Sequence, residues 1–361
     1  MKRGAGMALA LCLLLCGCKD YRELDQRDIV SGVAVDRVKD GYALLLSIAD
    51  VTAGSDDNPG ARWLPLQGAS LAEAVGSGAG STGRQAYLGH MQLAVAGDET
   101  ARGGLDDLLW YLQRSADVHM TLALAVAEGD AVALFQKQED AQAAAFDLSR
   151  AAVHAGKAGL APDMPLYRFL SDRQEEGIEG ILPRISTAEG GVHIEGAALF
   201  RGDKLCGRLD PKLTQVLLMA RGLLHEGVLT VNQGEGSVAF DIRGCTARLR
   251  TQESGDGVFA KYEIKLSLEL CQGAQSDSLS AKIKEQYEKL AQSEVERRFV
   301  ELCTLLQKTY GVDSLGVGRH IHRHDAGLWA RMGEDWEKNF AASQITAEAN
   351  VVLHGSGRSL K

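Results

Sequence analysis

Hydrophobic and polar positions change period several times along this chain, and each change predicts an element. Residues 29–36 alternate and are rich in valine, Val38-Lys39-Asp40-Gly41 carries an Asp-Gly turn signal, and residues 42–48 alternate back. That is the pattern of a β-hairpin. The polar, glycine-rich stretch 53–60 reads as a loop. Residues 70–75 predict a short helix, with Ser70 as N-cap and Glu73 at the capping-box position, broken by the glycines of 76–83. A strand is expected over 86–96. Leu105, Leu108, Leu109 and Leu112 follow with helical spacing. The apolar run 118–127 fits a buried strand, and short helices fill 130–172.

From 175 to 191 the periodicity dissolves into Glu, Gly and Ser, and this stretch is expected to be a linker. Beyond it, 194–200 and 205–209 flank a Gly202-Asp203 turn, which predicts a second hairpin. A helix is expected over 212–224, then three strands over 228–232, 238–250 and 259–270. The longest helix should run from 278 to 310. Its apolar stripe is Leu279, Ile283, Tyr287, Leu290, Phe299, Leu302, Leu306 and Tyr310, and Gly311 stands at its C′ position. A helix over 328–340 and a strand over 345–353 close the chain. Hairpin-linked strands with segregated helices predict a multi-domain α+β fold. Its sheets should be mixed or antiparallel, with a long amphipathic helix in the C-terminal domain, rather than a doubly wound parallel sheet. The expected division is 18–175 for an N-terminal region, divisible into two subdomains, 176–191 for the linker and 192–361 for the C-terminal α+β domain.

The first residues follow a different pattern. Lys2 and Arg3 precede an apolar run over 7–16, then Gly17 and Cys18. The run is too short to cross a hydrocarbon core of about 30 Å as a helix, and the layout is that of an export signal. Leu15-Cys16-Gly17-Cys18 resembles the lipobox of bacterial lipoproteins, with Cys16 where a smaller residue is commoner. The resemblance implies a signal peptide over 1–17, cleavage before Cys18 and lipid attachment at the Cys18 thiol. An uncleaved anchor and a plain secretory signal are the alternatives. Loss of Lys2 and Arg3 with the signal takes the formal charge from −9 to −11. An acidic body argues against a nucleic-acid partner, and against an anionic lipid surface as a broad docking plane.

With Cys12 and Cys16 in the signal and Cys18 lipidated, Cys206, Cys245, Cys271 and Cys303 remain. None forms a Cys-x-x-Cys or Cys/His pair at zinc spacing. Cys245 and Cys271 fall on expected neighbouring strands and can pair, but buried free thiols are the default. His320, His322 and His324 alternate, which on a strand would set them on one side. Arg319 and Arg323 beside them oppose a cation, so a solvated loop or strand is expected and no metal. Gly78 to Gly83 has phosphate-loop glycines without the lysine that would meet phosphate. His90 reads as a packed or hydrogen-bonded histidine. Asp106-Asp107, Glu175-Glu176 and Glu334-Asp335 read as solvated helix faces or ends. No residue set calls for catalysis or a cofactor.

Several stretches taken in order resemble the Ger(x)C lipoproteins of spore germination. Cys18-Lys19-Asp20-Tyr21-Arg22-Glu23-Leu24, followed by Ile29 to Asp36, is similar to the family's start, with Lys19 where the family usually has tryptophan. Leu88-Gly89-His90, Leu112-Gln113-Arg114, the segment from Gly196 to Gly207, and Trp329, Asp335-Trp336 and Phe340 extend the likeness over nearly the whole mature chain. The resemblance implies a non-enzymatic subunit of a nutrient germinant receptor, anchored by lipid to the outer face of the inner spore membrane. Its partners would be the membrane-embedded A and B subunits. A small-molecule germinant would be sensed by the complex, not necessarily by this subunit. A solute-binding lipoprotein of an importer and an envelope hydrolase are the competing readings, and the hairpin-rich second half fits the importer class poorly.

Overall fold

The computed structural model describes residues 26–55, 58–137, 141–188, 191–234, 236–255, 257–272 and 280–356. The expected signal segment 1–17 and Cys18 lie outside the described residues.

Leu93–Ala96 and Ala123–Ala127 are apolar at every position. Runs of this kind, with no polar face, suit strands covered on both sides. They form β5 and β6 at the centre of a nine-stranded sheet. The other strands are β1 (Arg27–Val38), β2 (Gly41–Ser55), β3 (Asn58–Gly68), β4 (Gln85–Tyr87), β7 (Ile181–Ala188), β8 (Gly191–Arg201) and β9 (Lys204–Leu209). The order is β3-β2-β1-β5-β6-β7-β8-β9, with β4 beside the start of β1. β1, β5, β6 and β7 run parallel, while the flanking strands join as antiparallel hairpins.

Period-two alternation sorts the central side chains onto two faces. Val33, Val35, Ala94, Ala96, Leu124 and Val126 belong to one core. Ala34, Leu93, Val95, Ala125 and Ala127 belong to the other. Helices α1 (Leu71–Thr82), α3 (Asp106–Arg114) and α6 (Leu166–Gln174) supply Leu71, Leu108, Leu109 and Phe169 to the first. Helices α4 (Ala131–Gln136) and α5 (Ala141–Lys157) supply Phe135, Leu148 and Ala152 to the second. A short helix α2 (Asp98–Gly103) follows β5.

The second sheet has the order β10-β11-β12-β13, from Gly227–Gln233, Gly236–Ser254, Gly257–Gln272 and Gln344–Ser356. Helix α7 (Pro211–Ala220) leads into it, capped by Asp210, which accepts from Leu213 N–H at 2.8 Å. Helix α8 (Ala281–Thr304) continues as a wider π turn over Leu305–Tyr310 and stops at Gly311, whose φ of 63° is left-handed. The inner face of α8 buries Tyr287, Ala291, Val295, Phe299 and Leu302. Tyr287 meets Phe240 edge-on at 5.9 Å, and Phe299 meets Tyr262 at 5.3 Å. α8 also covers both edges of this sheet. Glu296 and Glu288 accept from Ala349 and Leu353 N–H of β13 at 3.0 and 2.9 Å, and Arg298 donates to the Thr230 carbonyl of β10 at 2.6 Å. Side chains that occupy edge amides and carbonyls block pairing with a foreign strand. α9 (Val317–His324), α10 (Ala326–Met332) and α11 (Trp336–Ala342) precede β13. One apolar cluster runs unbroken from Val30 in β1 to Leu353 in β13.

The α+β class, the mixed sheets and the long C-terminal helix agree with the sequence reading, and the same fold recurs in a solved structure described below. Several local expectations need correction. The stretch 176–191, expected to be a linker, contains β7, which pairs with β6 on one side and β8 on the other. Its order comes from these distant partners, not from local pattern. Helix α1 does not break at Gly76 but runs to Thr82, because Gly78 lies against Leu64 and Leu66 of β3. Strand pairing reaches Ser55↔Asn58, inside the expected loop. The strand expected over 86–96 splits into β4 and β5. The helix expected over 328–340 divides at Gly333 into α10 and α11. The His320–His324 segment is helical.

Candidate functional site

An open cleft of about 1130 Å³ lies where the end of α6 meets α10 and α11. It joins sequence regions far apart. Its walls are the 173–179 segment, the β8–β9 hairpin tip at Arg201-Gly202, the 311–313 turn after α8, and residues 329–340.

Asp313 organises the C-terminal wall. The Asp side chain folds back over the start of α9, where free N–H groups need acceptors. Its Oδ1 accepts from Gly316 and Val317 N–H at 2.8 and 3.2 Å. Its Oδ2 accepts from Gly318 N–H at 2.8 Å and from Trp336 Nε1 at 3.1 Å. Burial pushes the Asp313 carboxyl above the usual carboxylate range, and these four donors pull it back.

The 175–180 segment is stitched to this wall. Glu179 N–H donates to the Asp313 carbonyl at 2.9 Å, and Arg319 N–H donates to the Gly177 carbonyl at 2.7 Å. Gly177 has φ +76°, and a Cβ there would sit 2.3 Å from the Gly318 carbonyl carbon, so only glycine fits this approach. Trp329 Nε1 donates to Glu176 at 2.8 Å, and Gly202 N–H donates to Glu179 at 2.8 Å. Burial raises the Glu179 carboxyl. Arg201 reaches the Tyr310 carbonyl at 2.7 Å.

Behind the cleft lies a buried ion network. Asp172 of α6 pairs with Arg221 after α7 at 2.6 Å and with Arg319 of α9 at 3.2 Å. Arg319 and Arg323 both face Glu175. Charges from the first half thus meet arginines from the second. Most polar groups of this junction hold segments together, while Arg221 engages Asp172 through one nitrogen and its Nε and Nη1 are buried without a hydrogen-bond partner.

The residues singled out from sequence are placed as follows. Glu175 and Glu176, read as a solvated helix end, are tying residues of the junction. His320 stacks on His324 at 4.4 Å, one helical turn apart, and His322 packs near Trp329. Among the described residues no group of three His, Cys, Asp or Glu side chains is placed to hold a metal ion. His90 is exposed and lies edge-on to Tyr87 at 5.8 Å. Cys206, Cys245, Cys271 and Cys303 are free thiols, and Cys271 is exposed. Burial pushes Cys245 and Cys303 up to about 12 and Cys206 to about 11. Asp172, Arg221 and Asp313 escaped sequence reading, and Arg319 was read only as a charge opposing a cation. The one local signal was Asp313, three residues before Gly316 at the start of α9.

The fold and junction define a two-sheet α+β protein whose two halves share a core and a buried charge network. Comparison with known proteins gives the family. Residues 20–187 match the spore germination protein N-terminal domain, and residues 195–357 match the spore germination B3/GerAC-like C-terminal domain. The chain belongs to this family of spore germination proteins. It is 22% identical to spore germination protein B3 of Bacillus subtilis (strain 168) over 96% of each chain. It is 20% identical to spore germination protein GerQC of Bacillus cereus over 97% of each. The crystal structure of the GerBC protein superposes with a TM-score of 0.63 at 17% identity, covering 93% of this chain and 100% of that one.

Proposed function

We propose that this chain is a lipoprotein subunit of a spore nutrient germinant receptor. Cys18 carries the lipid that tethers it to the outer face of the inner spore membrane. It acts without catalysis, beside integral-membrane A and B subunits, and the complex triggers germination when a small nutrient is sensed. The observation that carries this reading is that both family regions occur in order and together span nearly the whole chain. In this reading the N-terminal region runs from Cys18 and the C-terminal region from residue 192; β8 and β9 of the latter complete the first sheet, and the Asp172–Arg221–Arg319 network ties the two further. No described helix is long and apolar enough to cross a membrane, and in this reading the lipid on Cys18 does the tethering.

Deleting the gene in a spore-former tests the reading. Spores should lose their response to at least one nutrient while vegetative growth is unchanged. Normal germination on every nutrient together with a defect in solute uptake would instead support the importer reading.

A further inference from the structure

Strand register brings several distant segments to one end of the first sheet. β5 and β6 run parallel to β1, so all three begin at the same end. Gln26, just before β1, lines an open cleft there with Gly83, Arg84, Tyr111, Ser115 and Asp117. α3 therefore points its C-terminus at this end, while its N-terminal Asp107 lies beside Arg37 at the far end of β1. The turn into β6 arrives at the same place. α6 starts against it, with Tyr167 N–H donating to the Met120 carbonyl at 2.9 Å and Leu166 N–H to the Leu122 carbonyl at 2.8 Å.

This end displays large apolar side chains. Trp110, one turn above it on α3, is 59% exposed, Met120 40% and Tyr167 46%. Tryptophan usually buries most of its surface, and aromatic residues make up only 6% of this chain. Arginines accompany the rings. Arg114 lies over Trp110 at 4.1 Å, Arg168 near Tyr167 at 5.9 Å and Arg27 over Tyr87 at 4.7 Å. Arg84 lines the cleft. Of the acids nearest the rings, Asp117 and Asp163 are exposed, while Asp28 is buried and held by Arg62 and Thr82. On a chain of formal charge −9, the arginines gather round these rings, while β2 carries Asp50 to the same end by register.

The position of the chain's start says what meets this surface. Cys18 is eight residue steps from Gln26, which no chain can stretch beyond about 29 Å. A lipid on Cys18 holds this end of the sheet, not the far one, against the bilayer. Tryptophan and tyrosine with arginine suit the boundary between water and hydrocarbon, where the ring is wetted on one side only and the guanidinium meets phosphate. The acidic remainder of the protein is repelled by the same surface, which fixes the orientation.

We propose that the end bearing Trp110, Arg114, Met120, Tyr167 and Arg168 is a docking face for an anionic phospholipid headgroup layer. The inference rests on the reading of Cys18 as the lipid site. The test uses the full-length lipidated protein in vesicles of phosphatidylglycerol and phosphatidylethanolamine, with part of the lipid brominated. Trp110 should account for most of the bromine-dependent fluorescence quenching. Trp110→Phe should then reduce that quenching several-fold, and Trp329→Phe should leave it unchanged. Arg114→Gln with Arg168→Gln should lower quenching in the anionic vesicles. Quenching that is equal in Trp110→Phe, or absent from vesicle-bound wild type, overturns the proposal. So does a Trp110 shielded only after spore membrane proteins are added, which would mark a protein-binding face. Sedimentation separates the two readings. A Cys18→Ala protein that still pellets completely with uncharged phosphatidylcholine vesicles contradicts the lipid site, whereas the quenching is read only on the bound fraction.

Discussion

The junction and the outer face of the second sheet use the same residue types to different ends. At the junction, Asp172 and Arg221 expose 5% and 2% of their side chains, and Asp172 also serves Arg319. On the outer face, Arg243 is 56% exposed where it meets Glu269 and Asp241, and Lys261 pairs with Glu348 in similar exposure. Exposed pairs gain little, because water screens them and long side chains must be ordered. Buried pairs cost desolvation and tolerate no missing partner. The outer lattice therefore keeps a sheet face soluble, while the junction dictates how the two halves meet.

Four substitutions sharpen this contrast. Asp313→Ala should have the largest effect, about 3–4 kcal/mol, since the Gly316, Val317 and Gly318 N–H groups and the Trp336 indole lose their acceptor. Denaturant unfolding measures it, and a loss below about 1 kcal/mol would show that these donors find other partners. Arg221→Met should follow at about 2–3 kcal/mol, leaving Asp172 with Arg319 alone. Equal stability to wild type would mean the network holds nothing. Glu296→Ala should cost about 1 kcal/mol by freeing the Ala349 N–H. It should also promote self-association through the β13 edge, visible in sedimentation velocity. Lys261→Ala should leave the unfolding midpoint within measurement error, and a clear shift would end the distinction between the two regions.

Legibility followed the range of the interactions. The hairpins at Gly41 and Gly202 were readable because the turn residues and alternation are local, and α3 and α8 because their apolar stripes are long. β7 was not, since Pro183 and its polar flanks conceal a strand ordered from both sides. The extended α1 was hidden because its glycines read as breakers, although Gly78 allows close contact with β3. The alternating histidines suggested a strand, while the Asp313 cap and the packing of Ile321 make a helix. At the junction, Asp172 and Arg319 lie 147 residues apart, and no periodicity reports such a meeting. Cys18 is the reverse case: its reading as a lipid site rests on four letters, and it lies outside the described residues.

The most direct test of a tethered germination subunit is made on spores carrying Cys18→Ala. The protein should leave the inner-membrane fraction, and the nutrient response lost on deletion should be lost or strongly slowed here too. Full membrane retention with a wild-type response would contradict the account.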